Sequence, residues 1–362
     1  MLVSPIMKYF IFTYGCQMNV SDSERIAATL KKQGYKSAKS EAQADLIVLN
    51  ACSVRQSAMH RVYSKINKFS KEKKKIILAG CVLESDKKKL KDKISEFWHP
   101  NKYFHICPEN NKSIQHKSTF NPRSSAFVPI MTGCNNFCSY CVVPYTRGRE
   151  KSRPTNEIIK EIKTLAKNGY KEIMLLGQNV NSYRDIGIAR ESARRRRLSS
   201  ATPIYINFPK LLRLINNIPG NFTIKFMTSH PKDMSAELIS AIAKCEKVSK
   251  EVHLPIQSGD NKILRKMNRK YTVAHYKNLI KKIRAKIPNA IISTDIIVGF
   301  PGETQKQFQN TVKLCKEIKF SIAFISKYSP RFGTVAYKLK DNVPPAEKKR
   351  RWKILNALVN KK

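Results

Sequence analysis

Apolar runs alternate with charged segments of helical periodicity between Lys8 and Asp92. The runs KYFIFTYG, DLIVLNA and KIILAG have the length and composition of buried strands, and segments such as DSERIAATLKKQG that follow them read as helices. Alternation of strands and helices predicts a parallel sheet flanked by helices. We therefore expect an α/β N-terminal domain with a flavodoxin-like parallel sheet.

A second alternating pattern begins near Ala126, after the polar segment 111–125, which has the composition of a linker. Six apolar runs are separated by helical segments and come in the order FVPIMTG, KEIMLLG, FTIKFMT, EVHLPIQ, IISTDIIVG and SIAFISKY. Six such units predict a partial, open β/α barrel of the TIM type, whose site lies at the strand carboxyl ends. The expected division is residues 7–118, residues 119–350, and a C-terminal helix or tail at 351–362.

The charge balance points to a polyanionic partner. Lys and Arg number 69 against 26 Asp and Glu, a formal net charge of +43, and nucleic acid is the simplest such partner. No apolar stretch approaches the roughly 18 residues of a membrane-spanning helix. We expect a cytoplasmic protein that does not use a membrane.

Three cysteines, Cys134, Cys138 and Cys141, lie within eight residues. A disulfide framework does not suit an odd number of thiols in a reducing compartment. Zinc needs a fourth ligand, and no Cys or His follows at the usual spacing. A thioredoxin-like pair would leave Cys134 unused. An iron-sulfur cluster fits best, because three thiolates leave one iron of a four-iron cluster open to another ligand such as S-adenosylmethionine.

Three further cysteines each follow a predicted strand: Cys16, Cys52 and Cys81. The carboxyl ends of parallel strands meet at one edge of a sheet, so these thiols can converge although they are distant in sequence. Cysteine at a strand end is also a common small core residue, and the sequence leaves both interpretations open. Cys107, Cys245 and Cys315 have no partner at ligand spacing and are expected to be packing or surface thiols.

Several long motifs resemble one known family, and the likeness covers nearly the whole chain. They are TYGCQMNVSDSE (13–24), NACSVRQSA (50–58), GCNNFCSYCVVPYTRGREKSRP (133–154), LLGQNVNSY (175–183), MTSHP (227–231), HLPIQSGDNKILRKMNRKYT (253–272) and TDIIVGFPGET (294–304). They resemble the radical-SAM methylthiotransferases. Within that family, YGCQMN and the motif at 133–154 resemble those of the branch that acts on tRNA.

The resemblance implies two [4Fe-4S] clusters and S-adenosylmethionine as cofactors. The first cluster would be on Cys134, Cys138 and Cys141, and the second would be on Cys16, Cys52 and Cys81. The implied reaction is methylthiolation of carbon 2 of N6-(dimethylallyl)adenosine at position 37 of the tRNA anticodon loop. A reducing partner such as flavodoxin or ferredoxin and a monomeric state are also implied.

Other residues carry expectations that compete with simpler ones. Gly177, Gln178 and Asn179 follow the second barrel strand, where they could contact S-adenosylmethionine or form a tight turn. Ser229, Gln257 and Glu303 lie at later strand ends and are further candidates for that contact, Glu303 within the glycine-rich turn VGFPGE. Arg147, Arg149 and Arg153 follow the first trio and could contact tRNA phosphates or the carboxylate of S-adenosylmethionine. Arg194 to Arg197 could also contact phosphate, and for all of these arginines a solvated charge run is the alternative.

Relatives of this kind continue into a small RNA-binding β-barrel, the TRAM domain, which is expected to be absent here. Either the sequence is truncated before that domain, or RNA is held by the basic core alone. Two other functions stay open: methylthiolation of another tRNA base or of a ribosomal protein, and a catalytically inactive RNA-binding iron-sulfur protein.

Overall fold

The computed structural model describes residues 6–54, 56–108, 125–186 and 205–361. The basic run Arg194 to Arg197 and nearly all of the predicted linker 111–125 lie outside these residues. Among the described residues, no helix combines the length and the apolar character that crossing a membrane requires.

The N-terminal domain is a five-stranded parallel sheet. Its strands are β1 (Lys8–Thr13), β2 (Lys36–Ser37), β3 (Leu46–Cys52), β4 (Lys75–Cys81) and β5 (Glu96–Trp98), and its helices are α1 (Gln17–Lys32), α2 (Gln56–Lys71) and α3 (Glu84–Leu90). The strand order is β2-β1-β3-β4-β5 and every pairing is parallel. This is the flavodoxin-like order, which confirms the prediction for this domain.

Both faces of this sheet are buried. All seven residues of β3 are buried, and alternate side chains enter two separate clusters, with Ile47 and Leu49 in one and Leu46 and Val48 in the other. Because successive side chains of a strand point to opposite faces, a strand covered on both sides must be apolar at every position. The unbroken apolar run in the sequence has this physical cause.

The second domain contains six parallel barrel strands in chain order. They are β6 (Ser125–Pro129), β9 (Glu172–Leu176), β12 (Thr223–Phe226), β13 (Glu251–His253), β14 (Ile291–Val298) and β15 (Ile322–Lys327), with short strands β7 (Met131–Thr132), β8 (Lys151–Ser152), β10 (Arg184–Ile186) and β11 (Tyr205–Asn207). Two three-stranded sheets are joined by a bridge between Ile224 and Val248. No pairing in the described ranges closes β15 onto β6, so the barrel is open as predicted.

The helices of this domain follow the strands along the chain. They are α4 (Val143–Thr146), α5 (Thr155–Lys167), α6 (Phe208–Asn216), α7 (Ala236–Lys244), α8 (Asn261–Lys266), α9 (Val273–Lys286), α10 (Gln305–Ile318) and α11 (Pro345–Val359). Helix α11 crosses the predicted boundary at residue 351, and Trp352 donates from Nε1 to the Ile325 carbonyl over 2.9 Å. The C-terminal helix is therefore packed on the barrel domain.

A buried ionic network joins the two domains. Arg25 of α1 pairs with Glu161 of α5 over 2.8 Å, and Arg153 pairs with the same carboxylate over 2.8 Å. Arg25 also donates to the Ile106 carbonyl. Removing one partner of such a network leaves an uncompensated buried charge, so the network fixes how the domains dock.

Candidate active site

The first thiol trio, Cys134, Cys138 and Cys141, lies in the loop after β7. Gly133 opens this loop with φ +79°, where an added Cβ would stand 2.2 Å from the Arg149 carbonyl oxygen. The loop backbone is held by the segment at 266–268: Ser139 N donates to the Met267 carbonyl over 3.0 Å, and Asn268 Nδ2 donates to the Phe137 carbonyl over 2.9 Å. The glycine turn and these bonds fix the loop that carries the trio.

The thiols of this trio are close enough to affect one another. Burial, followed by the neighbouring Cys138 and Cys134, raises the pKa of Cys141 to about 12. Arg269 is buried and directs Nη1 toward the Cys138 sulfur at 3.6 Å, while its Nη2 donates to the Pro255 carbonyl over 2.8 Å. The buried guanidinium therefore places a positive charge beside the Cys138 sulfur.

The second thiol trio, Cys16, Cys52 and Cys81, forms at the carboxyl edge of the N-terminal sheet. Cys52 and Cys81 are paired end residues of β3 and β4. Cys16 begins α1 after β1, and an added Cβ on the preceding Gly15 would lie 2.8 Å from the Cys52 Cβ. The neighbouring strands β1 and β3 flank the point where the strand order reverses, which is where open α/β sheets bind ligands.

Arg147 connects the two trios, although it belongs to the barrel domain. It follows α4, six residues beyond Cys141 in sequence, and is 3% exposed. Its Nε donates to the Cys81 sulfur over 2.8 Å, and its Nη2 donates to the Asp22 carboxylate. A hydrogen bond with Cys52, followed by burial, holds the pKa of Cys81 well above its ordinary value, and the Arg147 charge opposes this shift.

These positions do not fit the predicted phosphate contacts of Arg147 and Arg153. Both guanidinium groups are buried against acidic partners, Asp22 and Glu161, and are not available to an external phosphate. Arg149 is exposed and lies over the Phe137 ring, with 4.4 Å from Cζ to the ring centroid. Of the three predicted arginines, only Arg149 can reach a phosphate at the surface.

A set of buried polar atoms without hydrogen-bond partners lies at the carboxyl ends of the first barrel strands. The side chains that carry them are Thr132, Gln178, Asn179, Asn181, Ser229 and His230. Buried polar atoms usually have a hydrogen-bond partner, so this group of side chains is a candidate for contacts with a bound ligand. Their mixture of donors and acceptors suits the amino and carboxylate groups of S-adenosylmethionine.

The other predicted contacts with S-adenosylmethionine are Gly177, Gln257 and Glu303. Gly177 is required by packing, since an added Cβ would lie 2.5 Å from the Met131 Cγ. Gln257 is buried, with φ +69° and its backbone N bonded to the Asp295 carbonyl over 2.8 Å. Glu303 accepts from Gly299 N and pairs with Arg351, each over 2.7 Å. This carboxylate has structural partners already, which does not fit a contact with S-adenosylmethionine.

The donor set fits iron-sulfur clusters better than a single metal ion. Within the described residues, no three His, Cys, Asp or Glu side chains come close enough to hold one ion. A four-iron cluster binds each thiolate on a different iron, so its ligands lie farther apart than those of one ion. Each trio supplies three thiols, the donor type that such a cluster takes, and one buried arginine lies beside a sulfur of each trio.

Comparison with known proteins agrees with the fold. Residues 128–315 match the radical SAM superfamily, and residues 8–98 match the uncharacterized protein family UPF0004. Among solved structures, the radical S-adenosylmethionine methyltransferase TsrM from Kitasatospora setae has a TM-score of 0.58 at 13% identity, covering 91% of this chain and 77% of that one. The cobalamin-dependent S-adenosylmethionine radical enzyme OxsB gives a TM-score of 0.57 at 10% identity, and the match covers 99% of this chain and 55% of that one. These likenesses define the class of fold.

Closer relatives define the family. The chain is 44% identical over 383 residues to the tRNA-2-methylthio-N(6)-dimethylallyladenosine synthase of Clostridium novyi, covering 98% of this chain and 81% of the relative. The synthase of the same name from Thermoanaerobacter pseudethanolicus is 43% identical, and the match covers 98% of this chain and 78% of the relative. The chain therefore belongs to the radical-SAM methylthiotransferases, the family of these synthases. Membership makes it an enzyme with S-adenosylmethionine and [4Fe-4S] clusters as cofactors.

Proposed function

We propose that this chain methylthiolates carbon 2 of N6-(dimethylallyl)adenosine at position 37 of tRNA, giving 2-methylthio-N6-(dimethylallyl)adenosine. The observation that carries the proposal is the pair of thiol trios whose loops are joined by Arg147, in a chain closely related to synthases of this name. A carbon 2 hydrogen of adenine has neither the acidity nor the electrophilic neighbour that acid-base catalysis needs. The reaction therefore requires radical chemistry.

The thiols hold the cofactors in this proposal. Cys134, Cys138 and Cys141 would bind the cluster that meets S-adenosylmethionine, and Cys16, Cys52 and Cys81 would bind the second cluster. When bound, the clusters and S-adenosylmethionine supply the one-electron cleavage, the inserted sulfur and the methyl group. Arg269 and Arg147 each place a positive charge beside one ligating sulfur.

The buried polar set at the strand ends would orient S-adenosylmethionine. Asn179 is held by its Nδ2 bond to Asp233 over 2.7 Å, which leaves Oδ1 free to accept from the ligand amino group. The Ser229 hydroxyl can donate to the ligand carboxylate. Fixed partners of this kind position the reacting bond near the target base without reorganisation during the reaction.

The positive net charge of the chain favours negatively charged partners. With a net charge of +43, the chain can hold tRNA through its phosphates, and affinity should fall steeply with salt. The same charge favours an acidic electron donor such as flavodoxin or ferredoxin. We infer a monomer working in the cytoplasm, where its tRNA substrate is found.

The test is nucleoside mass spectrometry of tRNA from bacterial cells that lack their own enzyme of this kind. Expression of this chain should convert N6-(dimethylallyl)adenosine to its 2-methylthio form, and expression of a Cys138→Ala variant should not. Accumulation of a different methylthiolated nucleoside would redirect the substrate assignment. Unchanged nucleosides with a soluble, cluster-loaded protein would refute the proposal.

A further inference from the structure

Exposed apolar side chains are concentrated in one short segment near the end of the barrel domain. Phe332 is 59% exposed, Val335 57% and Tyr337 48%, and the Phe332 and Tyr337 rings lie edge to face with centroids 5.5 Å apart. We call Phe332, Val335 and Tyr337 the aromatic platform. Apolar side chains gathered on a surface in this way commonly mark an interaction site.

The platform stands between the loops of the two thiol trios. On one side, Arg331 is buried and donates from Nη2 to the Val54 carbonyl, two residues beyond Cys52, over 2.5 Å. On the other side, Ala336 is buried and donates from its backbone N to the carbonyl of Ser139, next to Cys138, over 2.7 Å. Arg331 and Ala336, which lie next to platform residues in the sequence, therefore anchor the platform to both loops, while the platform side chains are exposed.

The segment is held rigidly by its own bonds. The Tyr328 hydroxyl donates to the Ala336 carbonyl over 3.0 Å, and the Thr334 hydroxyl donates to the Arg331 carbonyl over 2.7 Å. Tyr328 and Ala336 belong to a small buried cluster that includes Phe300. The backbone that carries the exposed rings is thus held in place before any partner arrives.

The charges around the platform indicate the chemistry of its partner. Residues 328–340 contain no Asp or Glu, and Lys338 and Lys340 are exposed beside the rings. Aromatic faces with nearby cations are the usual means of holding unpaired nucleotides, since bases stack on the rings and cations meet the phosphates.

We propose that the aromatic platform stacks unpaired bases of the anticodon loop beside the target adenosine, so that Phe332 and Tyr337 are substrate-positioning residues. The proposal rests on the proposed function, and it adds the surface that receives the loop. A base stacked here lies next to both trios, because the platform is bonded to both loops. The single-stranded loop is favoured over a protein partner because the platform's immediate neighbours are basic.

The test measures the affinity of the cluster-loaded protein for a 17-nucleotide anticodon stem-loop by fluorescence anisotropy, with a blunt RNA duplex of equal charge for comparison. Phe332→Leu keeps an apolar side chain but removes the ring, and Phe332→Tyr keeps the ring. Tyr337→Ala removes the second ring. Phe324→Leu is the matched control, because Phe324 belongs to β15, is 49% exposed and packs against His253 of β13.

Phe332→Leu and Tyr337→Ala should each weaken stem-loop binding by roughly five-fold or more, whereas Phe332→Tyr and Phe324→Leu should bind normally. Duplex affinity should stay unchanged in all four variants.

Normal stem-loop affinity in both ring-deleted variants would overturn the proposal, as would equal losses of affinity for the stem-loop and the duplex. Slower reduction by flavodoxin with unaltered RNA affinity would assign the platform to a protein partner. If the variants bind RNA normally and the wild type forms the product, the base-stacking role of the aromatic platform is refuted and the proposed function stands.

Discussion

The Nε of Arg147 donates to the sulfur of Cys81 over 2.8 Å, across the boundary between the two domains. The same guanidinium is paired with Asp22, and both side chains are buried. One arginine thus fixes the loop of the first trio against a ligand of the second. Hydrogen bonds to sulfur and local charge set the potential of an iron-sulfur cluster, so this contact should affect the second cluster directly.

Removing that charge should make the second cluster harder to reduce. Reduction adds negative charge beside Arg147, so its loss should lower the potential by roughly 60 mV or more. The measurement is a redox titration followed by electron paramagnetic resonance, in protein whose Cys134, Cys138 and Cys141 are all changed to Ala. Arg147→Gln is the informative variant, because Asp22→Asn with Arg147→Gln also removes the opposing negative charge and its potential should fall less.

Arg149→Gln is the control for this titration, since Arg149 lies on the same loop but is exposed. Its potential should match that of the parent protein. If Arg147→Gln also kept the parent potential, Arg147 would be a structural link between the domains and would have no electrostatic role at the cluster.

Ser229→Ala should have opposite effects on stability and on ligand binding. The Ser229 hydroxyl is buried without a partner, and such a group destabilises a protein by about 1–3 kcal/mol. Its removal should raise the melting temperature of the ligand-free protein, while the lost bond should weaken S-adenosylmethionine binding about five-fold. Calorimetric titration and thermal unfolding provide the two readouts.

Thr294→Val is the matched control for that experiment. The Thr294 hydroxyl is buried and fully engaged, because it accepts from Ile256 N and donates to the Leu254 carbonyl, each over 2.9 Å. This variant should lose stability and keep its affinity for S-adenosylmethionine. Destabilisation of the Ser229→Ala protein with unchanged affinity would show that the hydroxyl serves the fold.

His230 should make the folded protein sensitive to acid. Burial, followed by nearby Arg269 and Lys232, lowers the pKa of His230 from 6.5 to about 2. The unfolded chain therefore binds one more proton than the folded chain below about pH 6.5, and stability falls as the pH falls. One such group costs up to about 1.4 kcal/mol for each pH unit in this window.

Urea unfolding of the cluster-free, reduced protein between pH 7 and pH 5 measures this effect. His230→Asn can still accept the bond from Lys232 N, and it should lose less stability over this range than the wild type. Exposed His275→Asn should behave as the wild type does. A His230→Asn protein with the wild-type pH dependence would locate the acid sensitivity elsewhere.

Much of the architecture could be predicted from the sequence because it follows from local patterns. The period of apolar residues gave both α/β domains, and the meeting of strand ends at one sheet edge anticipated the approach of Cys16, Cys52 and Cys81. The family resemblance is confirmed by relatives that match nearly the whole chain. These inferences needed only strand direction and motif order.

The roles of single charged residues could not be predicted in the same way. The position of Arg147 after the first trio predicts a contact with phosphate or with the S-adenosylmethionine carboxylate, but its partner Asp22 lies 125 residues away and becomes visible only in the fold. Glu303 likewise pairs with Arg351 of the last helix. Arg269 lies inside a family motif, yet no local signal relates it to Cys138, since the fold alone brings them together.

The division of labour between the two trios is tested most directly by anaerobic reaction of the cluster-loaded protein with tRNA containing N6-(dimethylallyl)adenosine, S-adenosylmethionine and a reductant. Mass spectrometry follows 5′-deoxyadenosine and the 2-methylthio nucleoside in the same samples. Wild type, and a Cys245→Ala control outside both trios, should form both products with about eight iron atoms bound. Cys138→Ala should form neither product, and Cys52→Ala should form 5′-deoxyadenosine without the methylthio nucleoside. Wild-type methylthiolation by Cys52→Ala, or loss of 5′-deoxyadenosine in that variant, would contradict the account.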